Sequence, residues 1–228
     1  MFVKLLGFTE GGERVSAIAG KLCYSKGGYA KITEKLDDAE TEKFIDKVIN
    51  LGHYSVIEHT SFSFIAEGIS RALTHQLVRH RIASYSQKSQ RYVNEAGFDY
   101  ITPHTINSDA KAKDIYDKAA AAIAKAYDEL SALGIPKEDA RYILPNAAET
   151  KIVITMNARE LLHFFEKRLC NRAQWEIREM AELMLEEARK ACPHIFKNAG
   201  PGCVNGACPE GEMTCGKAAE VRKKYKKA

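Results

Sequence analysis

The sequence predicts a mixed α/β (α+β) fold, and three observations predict it. Short β-patterned runs occur near the start, the middle and the last third of the chain, amphipathic helical stretches separate them, and no repeat, linker or low-complexity segment interrupts the order before residue 197. At 228 residues one compact domain is the default. Hydrophobic residues make up 45% and charged residues 28%, so there is core to bury and no compositional sign of disorder. No apolar stretch approaches the roughly 20 residues that span a bilayer. Charge arrives at Glu10–Arg14 too soon for a signal peptide, so a cytoplasmic protein without a membrane segment is expected.

Taken in order, Phe2–Phe8 reads as a strand, and Arg14–Tyr24 as a helix with Val15, Ile18, Ala19 and Leu22 on its apolar side. Asp38 to Glu42 places acids in a helix's first turn, Phe44, Ile45, Val48 and Ile49 supply its apolar face, and Gly52 ends it. Ser61–Gly68 alternates phenylalanine with small residues at period two, as a half-buried strand does. Ser70 can cap a helix with Ala72, Leu73, Leu77 and Val78 on its apolar face, which delivers the chain to an arginine-rich run. A long helix follows from about Ser108 to Leu133, stopped at Gly134, and Pro136 opens a short one. Lys151–Met156 is β-rich, and Ala158–Leu169 and Ala173–Ala191 are helical.

The net charge of +4 is modest and owes much to Arg222-Lys223-Lys224-Tyr225-Lys226-Lys227, read as a solvated end. Elsewhere acids and bases are mixed, which argues against a dedicated nucleic-acid face. The exception is Arg79 to Arg91, where only Ile82, Ala83 and Tyr85 are apolar or aromatic. The run reads as a loop. Guanidinium forks match phosphate oxygens, hydroxyls and backbone amides complete such a cradle, and Gln or Ser can read the edge of a uracil-like ring. The plain alternative is a solvated polar loop.

The spacing R-H-R-x-x-S-x-x-x-x-S-x-R, here Arg79-His80-Arg81, Ser84, Ser89 and Arg91, resembles the signature of flavin-dependent thymidylate synthases. Around it, Gly52-His53-Tyr54-Ser55-Val56-Ile57-Glu58-His59 is similar to the family's upstream histidine segment, and Gln76 stands at the familiar offset. Glu138 to Pro145, Asn157-Ala158-Arg159, Arg168 and Ala173-Gln174-Trp175 follow in family order, so the resemblance covers residues from about 2 to 196.

That resemblance implies a central mixed, largely antiparallel sheet flanked by helices, in a single domain of residues 1–196 with a cysteine-containing, basic tail at 197–228. It implies a homotetramer whose sites are shared between subunits. It implies reductive methylation of dUMP to dTMP, with 5,10-methylenetetrahydrofolate as carbon donor and NADPH-reduced FAD as hydride source, and no required nucleic acid. By position, His53, Ser55, Arg79, His80, Arg81, Gln87, Asn157, Arg159 and His163 would meet the flavin. Gln76, Arg79, Gln87, Lys88, Ser89, Gln90, Arg91, Arg141 and Arg168 would surround dUMP, and Arg168 would be catalytic, a cation opposite negative charge developing on the pyrimidine. Three positions depart from common family residues: Gln87 stands for Glu, His163 for Asn, and Arg172 for His.

No glycine-rich dinucleotide fingerprint follows a strand, so arginines and a cleft between subunits would hold the flavin instead. Ser89 is read as a phosphate or ring contact, since no base is assured beside it, and Ser84 as closing a turn. Cys192-Pro193-His194 ends a helix and is read as packing and capping, while Cys23 and Cys170 read as ordinary helix cysteines. Cys203, Cys208 and Cys215 fall within thirteen residues, with Cys192 as a possible fourth. Their spacing is not that of a recognisable zinc site, a reducing compartment disfavours disulfides, and no metal is assigned. A second class of function, an RNA- or nucleotide-binding protein without chemistry, is also compatible with the basic run.

Overall fold

The computed structural model describes residues 1–226, so the tail's Lys227 lies outside the described residues. Along the chain run β1 (Phe2–Phe8), α1 (Gly12–Leu22), α2 (Tyr29–Glu34) and α3 (Asp38–Asn50), then β2 (Ser61–Ser70), α4 (Arg71–Leu77) and β3 (Ala83–Gln87). Next come α5 (His104–Asn107), α6 (Ala110–Ala132) and α7 (Lys137–Ala140). The chain continues through β4 (Glu149–Asn157), α8 (Ala158–Arg168), α9 (Trp175–Ala191) and α10 (Ala218–Tyr225).

The strands form a four-stranded sheet in the order β1-β2-β4-β3. Along β2 and β4 the Ala158 amide donates to the Thr60 carbonyl at 2.7 Å and the Arg71 amide to the Ala148 carbonyl at 3.1 Å. Between them the Ser63 and Thr155 hydroxyls meet at 2.8 Å, so the two strands run antiparallel. The expected mixed α/β class with an antiparallel sheet is what the chain adopts.

By its contacts the chain groups into two compact units. The first holds Met1–Phe2, Ala66–Arg79 and Ser86–Val153. The Ser70 hydroxyl accepts from the Leu73 amide at 3.0 Å and starts α4, as the sequence suggested. Ile69, Leu73, Leu77, Tyr127 and Ile152 are buried, and the Tyr127 hydroxyl accepts from the Glu95 amide at 3.2 Å.

The second unit holds Val3–Ile65, His80–Tyr85 and the described chain from Ile154 onward. Its core is aromatic: Phe62 lies edge-on to Phe196 at 5.3 Å between ring centroids, and Phe165 meets Phe196 at 5.8 Å. Each such buried ring contributes about 1.5–3 kcal/mol of transfer free energy. Helix α1 corrects the face read from the sequence. Gly12, Ser16, Ala17 and Gly20 are its buried residues, whereas Val15 and Leu22 are 37% and 57% exposed. The reason is close approach: the Thr60 hydroxyl donates to the Gly12 carbonyl at 2.8 Å and meets the Ser16 hydroxyl at 2.8 Å, leaving no room for larger side chains.

The arginine-rich run is not wholly a loop. Residues 83–87 pair as β3, with Ala83, Tyr85 and Gln87 half-buried and Ser84 and Ser86 exposed, so Ser84 sits in a strand rather than closing a turn. Nor is the basic tail a plain solvated end. Val221 and Tyr225 are buried, Tyr225 donates to Glu182 at 2.8 Å, and Arg222 donates to the carbonyls of Cys203 and Gly206 at 2.8 and 2.7 Å.

Candidate active site

In the second unit, α8 starts at Asn157, whose side-chain oxygen accepts the Glu160 amide at 2.9 Å. The helix then carries Arg159, Glu160, His163 and Arg168 along one turn after another. His80 is buried, with Nδ1 at 3.2 Å from Glu160 Oε1, and its Nε2 accepts from Arg168 Nε at 3.0 Å. A guanidinium nitrogen only donates, so Nε2 is unprotonated and the ring proton sits on Nδ1, where it donates to the Glu160 carboxylate. Burial first, then the Arg168 cation and His163, push the His80 pKa down to about 4, so the ring is neutral near neutral pH. Burial raises the Glu160 carboxyl and lowers Arg168, with Tyr85 opposing the latter. Phe164 packs edge-on to His80 at 5.0 Å, and the Tyr85 hydroxyl donates to the His80 carbonyl at 2.8 Å.

The same unit holds two clefts. One of about 660 Å³ is lined by Tyr54, Arg159, His163 and Glu166 together with Asn198 and Asn205. The other, of about 410 Å³, is lined by His53, Tyr54, Ser55 and Arg159. Arg159 borders both and donates to Glu58 at 2.5 Å. Arg81 is exposed.

In the first unit, the end of β3 and the turn after it carry a second group. Gln87 Nε2 donates to the Thr74 and Thr150 hydroxyls at 3.1 and 3.3 Å, which fixes its amide. The Lys88 amide donates to the Lys151 carbonyl at 3.0 Å, and its Nζ pairs with buried Glu95 at 2.9 Å. Ser89 Oγ accepts the Arg91 amide at 3.2 Å, a local turn contact. Arg91 forks onto Glu138, whose carbonyl accepts from Arg141 Nε at 3.1 Å, so one residue ties two distant arginines together. Gln76 and Gln90 are half-buried, and Arg79 is exposed.

The structure therefore sorts the residues named from the sequence. Those implied for dUMP lie in the first unit, with Arg168 the exception, and those implied for flavin lie in the second, with Arg79 and Gln87 the exceptions. Sequence reading gave no role to the residues that hold these groups in place, Thr74, Thr150, Glu58, Glu95, Glu138 and Glu160, although Glu58 and Glu138 stand in segments matched to the family. It also missed Arg71, which donates to the Lys88 carbonyl at 2.8 Å. Glu160 carried a local signal, because Asn157-x-x-Glu160 has the spacing of a capping box, yet its carboxylate faces His80. Cys192 is buried and far from thiolate form, burial and Glu13 pushing its pKa up to about 12. Cys170 lies beyond the end of α8 rather than within a helix. Among the described residues no group of three or more His, Cys, Asp or Glu is arranged to hold a metal.

An antiparallel α/β chain that fixes forked cations on one unit, and holds a buried neutral imidazole and open clefts on the other, has the character of an enzyme for anionic ligands. A family model described as thymidylate synthase complementing protein matches residues 4–194, and the chain belongs to that family, the flavin-dependent thymidylate synthases. A flavin-dependent thymidylate synthase of Geobacter sulfurreducens is 53% identical over 228 residues, covering 99% of this chain and 98% of that one. One of Clostridium tetani is 51% identical, covering 98% and 96%. A solved structure described as the UMP/dUMP methylase PolB from Streptomyces cacaoi, bound with 5-Br dUMP, has a TM-score of 0.76 at 22% identity. It covers 85% of this chain and 92% of that one, a likeness of fold. Family membership makes the chain a flavin-dependent methyl-transferring enzyme, and the reading as a binding protein without chemistry falls. Among the described residues no helix is long and apolar enough to cross a membrane.

Proposed function

We propose that the chain reductively methylates dUMP to dTMP, with bound FAD carrying hydride, 5,10-methylenetetrahydrofolate giving the carbon and NADPH reducing the flavin. The observation that carries this reading is the guanidinium of Arg168, half-buried and held through Nε by neutral His80. A cation fixed before reaction, away from bulk water, is suited to stabilising negative charge that develops on a pyrimidine ring.

The residues fit a flavin dinucleotide. Clefts of about 660 and 410 Å³ are in the range of cofactor sites, and Arg159 on both is a cation for a pyrophosphate. His53 and Ser55 on one cleft and His163 on the other, with Arg79, His80, Arg81, Gln87 and Asn157, would hold it. The flavin supplies hydride chemistry when bound, leaving position and polarity to the protein. Gln76, Arg79, Gln87, Lys88, Ser89, Gln90, Arg91 and Arg141 would grip dUMP, the arginines at phosphate and the amides at the ring.

Residues 1–196 would carry the groups named for this chemistry, and the cysteine-containing, basic tail at 197–228 would add Asn198 and Asn205 to the wall of the larger cleft, in a cytoplasmic homotetramer. Exposed Leu6 and Phe8 on β1 and Val15 and Leu22 on α1 support burial against another subunit. The test is anaerobic: protein with reduced flavin is mixed with dUMP and methylenetetrahydrofolate. Flavin reoxidation with formation of dTMP is expected, and its absence in protein that binds both flavin and dUMP would sink the reading.

A further inference from the structure

Glu160 is 7% exposed, and a carboxylate that far from water is costly unless it is hydrogen-bonded. Its partner is the Nδ1–H of His80 at 3.2 Å, and the opposite ring nitrogen accepts from Arg168 at 3.0 Å. The two bonds are linked through one proton. An imidazole left to itself favours the proton on Nε2, and in that form it would set an N–H against the N–H of Arg168. A carboxylate at Nδ1 reverses the preference. Phe164 restrains the ring and Tyr85 the backbone of His80, so the proton position answers to Glu160 at Nδ1 and to the Arg168 donor at Nε2.

We propose that Glu160 is a positioning residue, which fixes the tautomer of His80 and thereby holds the Arg168 guanidinium in the orientation that the reaction uses. No proton moves in this role. It rests on the reading of Arg168 as the cation that acts on the pyrimidine. A purely structural Glu160, serving only the first turn of α8, would change stability and leave the tautomer and the rate alone.

The experiment uses the full chain with its flavin, labelled with ¹⁵N-histidine. Long-range proton–nitrogen spectra near neutral pH should show His80 protonated at Nδ1 in the wild type and at Nε2 in Glu160→Ala. The rate of flavin reoxidation should fall about tenfold to a hundredfold in Glu160→Ala, as loss of a charged hydrogen bond at one remove predicts. Affinity for dUMP should change by less than about threefold. Glu160→Gln, whose carbonyl can still accept from Nδ1–H, should keep the tautomer and recover most of the rate. A wild-type Nε2–H tautomer overturns the proposal without any variant, should Glu160→Ala fail to fold. So does Glu160→Ala turning over at the wild-type rate, or slowing with the Nδ1–H tautomer intact. Arg168→Ala separates the two readings: if it reacts normally, the role of Arg168 falls, whereas if it is slow and Glu160→Ala is normal, only the role of Glu160 falls.

Discussion

Arg91 Nε donates to the Glu138 carboxylate at 2.9 Å, and the backbone carbonyl of Glu138 takes a hydrogen bond from Arg141. The carboxylate occupies the fork that would grip an anionic substrate. Both side chains are about half exposed, 52% and 51%, so the pair itself adds at most about 1 kcal/mol to stability. Glu138→Gln is expected to leave the urea midpoint nearly unchanged and to tighten dUMP binding, while Arg91→Ala weakens it. Isothermal titration checks both, and equal dUMP affinity in all three proteins would contradict a phosphate role for Arg91.

Arg168→Ala is expected to slow turnover by about a hundredfold or more, the scale of losing a preorganised charge-stabilising donor, while flavin stays bound. The measurement pairs anaerobic flavin reoxidation with the visible absorbance of the purified variant. A variant that is both colourless and inactive would point to a role in cofactor binding instead.

The pH dependence of stability should carry the mark of His80. Its pKa falls from 6.5 to about 4 on folding, so the unfolded chain takes the proton first. The contribution is complete above about 6.5 and is lost as pH falls toward 4, at most roughly 3 kcal/mol. Glu160, raised by burial, works in the opposite direction and trims the loss. Urea midpoints between pH 7.5 and 4.5 should fall more steeply for the wild type than for His80→Asn, and parallel curves would contradict the assignment of a neutral ring.

Helix α1 offers a test of packing by small residues. A methyl group on Gly12 would lie 2.4 Å from Thr60 Cγ2, whose hydroxyl is bonded to both Gly12 and Ser16 and cannot readily yield. Gly12→Ala is expected to destabilise by about 1–3 kcal/mol, the cost of overpacking. Val15→Ala, on the apolar face read from the sequence, should cost less in the monomer because Val15 is exposed. Chemical denaturation at low protein concentration distinguishes them.

Much of the secondary structure was legible because it rests on local rules. Phe2–Phe8 formed the strand its pattern gave, Ser70 capped α4, and Gly134 closes the long helix with φ at +78°, a conformation that favours glycine. The family, too, was legible, because Arg79, His80, Arg81, Ser84, Ser89 and Arg91 keep a fixed spacing in one short segment. Tertiary structure alone decided the rest. The buried face of α1 depends on how near Thr60 comes, and no count of apolar side chains contains that distance. The strand within Arg79–Arg91 needs β4 beside it, since strand pairing joins residues far apart in the chain. The acids that hold the site's nitrogen groups, Glu138 on cationic Arg91, Glu95 on cationic Lys88 and Glu160 on neutral His80, stand 47, 7 and 80 residues from their partners. An ordinary Glu in a sequence gives no sign of which cation it will meet. Only folding brings the two within reach, and the partner met at each ring nitrogen of His80 then decides which one carries the proton.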